Sequence, residues 1–158
     1  PPCPFRFGMN KPRWYTFKGN TNASYKHLIE LRYQVLRLPW NQPLSSAMDD
    51  TDADAIHAVA YIDSIMVACG RLHICDILTG QIRYMAVSPK FQKTGLGAGL
   101  ILQLEAEALK LKLKFLHLNA RDTAVTFYEQ FGYKNQGYIF TLWNCIQHYK
   151  MSKIINPT

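Results

Sequence analysis

The sequence predicts a mixed α/β fold: a central, mostly antiparallel twisted sheet flanked by helices, with a parallel strand pair around a long central helix. Three observations predict it. The first is a strand, a glycine-punctuated turn and a helix in succession. They run from Ile82–Val87 through Gln92-Lys93-Thr94-Gly95-Leu96-Gly97-Ala98-Gly99 to the amphipathic stretch Leu100–Leu111. The second is a set of earlier apolar runs joined by short turns, which favour antiparallel pairing. The third is the crossover that joins the strands on either side of the long helix, which makes them parallel.

Taken in order, Trp14–Phe17 reads as a short strand closed by Gly19-Asn20. Ser24 is placed to cap a helix that carries Leu28, Leu31, Arg32 and Val35 to about Leu36. Pro39 and Pro43 then stop regular structure as far as Met48. Asp49, Asp50, Asp52 and Asp54 read as a solvated loop, because the glycine and distal glutamate of a calcium loop are missing. Ala55–Tyr61 and Ile65–Ile74 form strands of a hairpin turning at Asp63-Ser64. Thr79-Gly80 leads into Ile82–Val87, which Pro89 closes. The long helix, starting at Leu96 or Gly97, is expected to bury Leu100, Ile101, Leu104, Ala108 and Leu111 and to expose Gln103, Glu107, Lys110 and Lys114. Its end is ambiguous, since Leu109–Lys114 also alternates as a strand does. Phe115–Asn119 follows as a strand and Thr123–Phe131 as a short helix ended by Gly132. Tyr138–Trp143 and Ile146–Met151 close the chain as a strand pair.

The 158 residues, 48% hydrophobic and 13% aromatic, suit one globular domain over residues 9–158 and exclude a disordered chain. Residues 1–8 differ in character and are expected to be a vector-derived remnant or a disordered N-terminus. No apolar run approaches the roughly 18–20 residues of a membrane span, and no secretory signal is recognisable. Cytoplasmic residence without a membrane partner is the expectation. Cys3, Cys69, Cys75 and Cys145 lack zinc-site spacing, so no metal is expected. Cys69 and Cys75 read as reduced core residues. The net charge of +7 raises a nucleic-acid partner. Its dispersed distribution, with only Lys110-Lys112-Lys114 resembling a cluster, argues against that partner, and attraction to a multiply phosphorylated small ligand explains the charge equally well.

The glycine turn explains such a ligand. Glycines let a backbone approach a ligand closely, and a helix start offers unpaired N–H groups with a partial positive charge. Lys93 and the Thr94 hydroxyl add side-chain donors. The turn is not a P-loop, since Leu96 follows Gly95, nor a Rossmann fingerprint, since Gly99 falls one residue early. By itself it is equally a helix start that merely packs closely.

Three segments then act together: Ile82-Arg83-Tyr84-Met85-Ala86-Val87, the turn at 92–97, and Asn119 through Phe127-Tyr128-Glu129-Gln130-Phe131-Gly132-Tyr133. They resemble the GNAT superfamily of acyl-CoA-dependent N-acetyltransferases, tightly over residues 82–133 and more loosely over about 13–152. Gln92, Gly95 and Gly97 satisfy the superfamily's Gln/Arg-x-x-Gly-x-Gly/Ala motif. The hydrophobic-Ala-Val strand end and the Phe-Tyr-x-x-x-Gly-Phe/Tyr segment match as well.

The resemblance implies acetyl-CoA as co-substrate, its pyrophosphate on the backbone of Gln92, Lys93, Thr94, Gly95, Leu96, Gly97 and Ala98. It implies pairing of the pantetheine amides with Met85, Ala86 and Val87, as an added strand would pair. A backbone N–H near Val87 would polarise the thioester carbonyl. Asn119 and Phe127 would line the coenzyme channel, and Tyr128 would be the general acid for the departing thiolate. Several such enzymes carry a glutamate at the start of the central strand, where Gln81 or a neighbour stands here, and the Gln81 amide takes no proton. His148 on the last strand is the candidate base. His73 and Asp76 are also near in sequence order, and His57, His27 and His117 have weaker claims.

The activity implied is direct acetyl transfer to a primary amine in a ternary complex, with the acceptor unidentified and a homodimer left open. A non-catalytic acyl-CoA-binding module is the alternative, and a basic nucleic-acid-binding domain a further one.

Overall fold

The structure, a computed structural model of the chain, describes residues 10–157. The expectation for residues 1–8, and Cys3 with it, lies outside them. The strands and helices are β1 (Arg13–Lys18), α1 (Tyr25–Leu36), β2 (Ile56–Ile62), β3 (Ile65–Ile74), β4 (Thr79–Val87), α2 (Leu96–Lys110), β5 (Phe115–Arg121), α3 (Val125–Glu129), β6 (Lys134–Leu142) and β7 (Ile146–Ile154). The strands form one mixed sheet in the order β1-β2-β3-β4-β5-β7-β6. β1 runs antiparallel to β2, and β7 antiparallel to both β5 and β6. β4 and β5 run parallel, joined by the crossover that contains α2. This is the predicted fold class.

The described residues gather into two compact units. One holds the chain as far as Arg71 together with Tyr84–Leu104, the other Leu72–Arg83 together with the chain from Glu105 onward.

In the first unit α1 lays Leu28, Ile29, Leu31 and Leu36 against Val59, Met66, Cys69 and Ala86. Ser24 stands at the N-cap of α1, yet its side chain makes no cap bond. Its hydroxyl instead accepts from the Tyr61 phenol at 2.9 Å. After α1 the chain takes three short 3-10 turns, Leu38–Trp40, Leu44–Ala47 and Asp50–Ala53. The last corrects the solvated acidic loop. Asp49 and Asp52 form a reciprocal capping box, and Asp52 is fully buried.

The second unit resolves the end of α2. The helix stops at Lys110, Lys112 turns left-handed at φ +60°, and the Leu113 N–H reaches back to the Ala108 carbonyl at 3.0 Å. Leu111 therefore lies past the helix and is exposed, contrary to its expected place on the buried face. α3 ends as predicted, with Gly132 at φ +88° and the Tyr133 N–H on the Tyr128 carbonyl at 3.2 Å. Cys69 is buried, and burial pushes its thiol up to about 12. Cys75 corrects the other cysteine reading: it is exposed, with Sγ 3.6 Å from His117 Nε2.

Candidate active site

The first unit contains the strand end, the turn and the helix start. Parallel pairing of β4 with β5 covers Thr79–Ile82 opposite Phe115–Leu118 and stops there. Just beyond, Tyr84 sits in the left-handed region at φ +53°. Packing shows what that residue does to the strand. A side chain at Gly80 would meet Leu72, and one at Gly70 would meet the Met85 sulfur, while positions 70 and 72 share a face of β3. Positions 80 and 85 lie an odd number of residues apart and would face opposite ways on a regular strand. The turned backbone at Tyr84 absorbs the odd step as a bulge does. Met85 and Val87 are half-buried, Ala86 is buried, and the Ser88 N–H is fixed on the Val67 carbonyl at 2.8 Å.

The turn follows. Gln92 Nε2 donates to the Val87 carbonyl at 3.3 Å, tying the turn to the end of β4. Lys93 and Gly95 are both left-handed, at φ +62° and +92°. The two outer glycines differ in purpose. A Cβ at Gly99 would lie 2.2 Å from the Trp14 ring, so Gly99 permits close packing of helix on strand. A Cβ at Gly95 would meet nothing within 4 Å, so that glycine serves the backbone turn. The Thr94 hydroxyl donates to the Phe91 carbonyl, which engages its proton inside the turn and removes it as the expected donor to a ligand. The first bond of α2 runs from the Gly99 N–H to the Gly95 carbonyl at 3.0 Å. The amides of Leu96, Gly97 and Ala98 precede it and have no acceptor within the helix. They form the positive end of a 15-residue helix.

Sequence reasoning missed a buried ionic cluster in this same unit. Arg32 and Arg71, both fully buried, share the Asp52 carboxylate at 3.0 Å each, and Arg71 also holds Asp49 at 2.7 Å. Burial raises the Asp52 carboxyl, but the Arg32 charge and hydrogen bonds from Tyr25, Arg32 and Arg71 hold it below its usual value. Burial likewise raises Asp49, yet hydrogen bonds from Thr51 and Arg71 leave it well below the carboxylate range. His57 lies against Arg32 at 3.3 Å; burial and that charge press it down to about 4. It is neutral at pH 7, with Nδ1 accepting from Arg32 and Nε2 donating to the Asp52 carbonyl, so neither ring nitrogen is left to take a proton. The Arg32 and Arg71 guanidiniums lie 4.3 and 4.8 Å from the centre of the Tyr84 ring, whose hydroxyl donates to Asp49 at 3.1 Å. A left-handed tyrosine costs about 1–3 kcal/mol, and a desolvated cation over an aromatic face returns about 2 kcal/mol. Two such contacts are enough to offset the backbone. The sequence did hold one sign of this cluster: Arg32 falls on the apolar stripe of α1.

The second unit holds the remaining predicted residues. Tyr128 is 7% exposed, edge-on to Phe127 at 5.0 Å and to Tyr133 at 5.9 Å. Burial pushes its phenol above the ordinary value, and the Arg121 charge opposes this only in part. The group stays protonated at neutral pH. Phe127 is half-buried and also meets Phe131 at 5.1 Å. Asn119 is half-buried on β5, opposite Lys150. Two residues on, Arg121 stands opposite His148, so Asn119 and His148 occupy the same face.

His148 stacks on Phe140 at 4.6 Å, and its Nδ1 lies 3.0 Å from the Ile146 carbonyl. A carbonyl only accepts, so Nδ1 carries the proton and Nε2 presents the lone pair in the neutral ring. Burial lowers its pKa, and the Ile146 bond partly opposes the shift. Gln81 lies opposite His117 in the β4–β5 register. His117 is lowered by burial and by Lys150, and His27 Nδ1 contacts the Tyr61 hydroxyl at 3.1 Å. Among the described residues no group of three or more His, Cys, Asp or Glu is placed to hold a metal ion.

Comparison with known proteins places this geometry. Escherichia coli ElaA superposes with a TM-score of 0.79 at 21% identity, over 90% of this chain and 99% of its own. An acyl-CoA N-acyltransferase from Pseudomonas aeruginosa gives 0.78 at 22%, over 90% and 99%. An aminoglycoside 6'-N-acetyltransferase complexed with coenzyme A gives 0.74 at 18%, over 92% and 98%. These likenesses establish the fold. Residues 31–155 match the family described as the acetyltransferase (GNAT) domain, and the chain, an acyltransferase enzyme, belongs to that family.

Proposed function

We propose that the protein transfers the acetyl group of acetyl-CoA to a primary amine by direct attack in a ternary complex, within one N-acetyltransferase domain over residues 9–158. The observation that carries this reading is the turn at 92–98. A left-handed glycine, with open space where a side chain would stand, leads into helix amides that have no acceptor within the helix. Such an arrangement suits a pyrophosphate. The structural neighbour solved with coenzyme A supports that guest.

Gln92 through Ala98 then hold the pyrophosphate with their backbone. Met85, Ala86 and Val87, beyond the point where pairing with β5 ends, offer strand hydrogen bonds to pantetheine, and an N–H near Val87 polarises the thioester. Asn119 and Phe127 flank the coenzyme. The free amine attacks the thioester carbon and the carbon–sulfur bond breaks. Tyr128 protonates the departing thiolate, and His148 through Nε2 takes the proton lost by nitrogen. Cytoplasmic residence belongs to the same proposal; no helix among the described residues is long and apolar enough to cross a membrane.

A thiol-release screen of small amines, aminoglycosides and peptide N-termini against acetyl-CoA tests this reading. Saturable, amine-dependent release supports it. Tight acetyl-CoA binding without release on any acceptor favours a non-catalytic acyl-CoA-binding module. Binding of DNA that weakens steeply with salt, without acetyl-CoA binding, favours a nucleic-acid domain.

A further inference from the structure

We propose that Tyr84 is a positioning residue for the coenzyme strand, clamped in its turned backbone state by Arg32 and Arg71. The inference rests on reading Met85–Val87 as the edge that meets acetyl-CoA, and it adds what aims that edge. Tyr84 ends the regular part of β4 at φ +53°, a backbone state that bulky side chains seldom adopt. Three residues later Ser88 is fixed by its N–H on the Val67 carbonyl at 2.8 Å. Tyr84 and Ser88 thus bracket the stretch 85–87 of β4, the first through its side chain and the second through a backbone bond beyond the strand end.

The Tyr84 anchor is made of side chains. The ring lies 4.3 Å from the Arg32 guanidinium, 4.8 Å from that of Arg71 and 5.5 Å from that of Arg37. Its hydroxyl donates to Asp49 Oδ2 at 3.1 Å. The cations are themselves immobile: Arg32 donates to Asp52 and to the Ala47 carbonyl at 3.2 Å, and Arg71 bridges Asp49 and Asp52. The clamp therefore joins α1, the 3-10 segment before β2, β3 and the turned residue of β4. A fixed cation over an electron-rich face has a defined position along and above the ring, which a purely apolar contact lacks. That is what aiming an edge of hydrogen-bonding groups requires.

The test measures acetyl-CoA affinity by calorimetry, and KM for each substrate, on variants first shown to be folded. Tyr84→Phe keeps the ring and is expected to bind acetyl-CoA within about threefold of the parent. Tyr84→Leu is expected to weaken acetyl-CoA about tenfold or more while the amine KM moves less than threefold. Tyr84→Gly accepts the backbone angle but lacks the ring, and is expected to bind as weakly as Tyr84→Leu. If Tyr84→Leu does not fold, site-specific replacement of Tyr84 by phenylalanines carrying successively more ring fluorines keeps the shape and drains the face of charge. The acetyl-CoA Kd should then rise with each fluorine. Unchanged affinity in Tyr84→Leu or across the fluorinated series overturns the clamp, and so does full affinity in Tyr84→Gly. If the parent protein itself binds no acetyl-CoA, it is the functional reading that fails.

Discussion

The proposed mechanism asks opposite proton transfers of Tyr128 and His148, and burial keeps both in their neutral forms at pH 7. The phenol is buried among Phe127 and Tyr133 and holds its proton more firmly than a free tyrosine. Removing it leaves the thiolate to depart unprotonated. Tyr128→Phe is expected to lower kcat by about a hundredfold, with the acetyl-CoA Kd within a factor of two; equal turnover in both forms would end the acid role. For His148 the tautomer is set by Ile146, and its pKa is lowered by burial. A base of that kind works when neutral. The pH profile of kcat, read at saturating amine, should show a limb that rises through a pKa below about 6.5, set apart from any limb owed to the amine's own ionisation. His148→Gln should remove that limb. A limb that survives the substitution assigns the proton to another acceptor.

At the scale of elements, the two glycines that begin α2 predict separable defects. Gly99→Ala drives a methyl group into the Trp14 ring, 2.2 Å away, and is expected to cost about 1–3 kcal/mol of stability. Gly95→Ala meets no neighbour but opposes a φ of +92°, and should weaken acetyl-CoA binding more than it lowers Tm. Thermal unfolding and calorimetry on both variants check this; the reverse pattern would make Gly95 the packing residue.

The turn, the hairpins and the short helix before Gly132 were legible because each is written in adjacent residues. What was not legible depends on distant partners. Asp52 is buried because Arg32, twenty positions earlier, and Arg71, nineteen later, meet it there. No local pattern in an acidic loop carries that pairing. Tyr84 likewise looks like an ordinary alternating strand residue, and its turned backbone follows from cations on other elements. Leu111 was misplaced by one residue of helix: Lys112 reverses the chain before the apolar stripe is complete.

Across the whole molecule the ionic cluster makes folding sensitive to acid. His57 is fully buried and held to about 4, below its unfolded value. A depressed pKa means the unfolded chain binds the proton more readily, so the stabilisation is complete above pH 6.5 and is lost as pH falls toward 4. The loss from His57 is at most about 3 kcal/mol, and the lowered Asp49 and Asp52 extend it to still lower pH. Urea unfolding at several pH values should show stability falling from about pH 6.5 downward, with a shallower fall in His57→Gln. A flat profile would show that His57 is protonated without penalty.

The same molecule carries a net charge of +7, which favours an anionic donor over a cationic acceptor and leaves recognition of the amine to local contacts. The most direct test of acetyl transfer is to follow a labelled acetyl group. The protein is mixed with acetyl-CoA bearing an isotopically labelled acetyl group, first alone and then with an amine active in the thiol-release screen, and both protein and amine are weighed by mass spectrometry. Direct transfer predicts an unlabelled protein at every stage and label on the amine nitrogen only when all three components are present. Label on the protein before the amine is added, or saturable acetyl-CoA binding with no label on any amine, would contradict it.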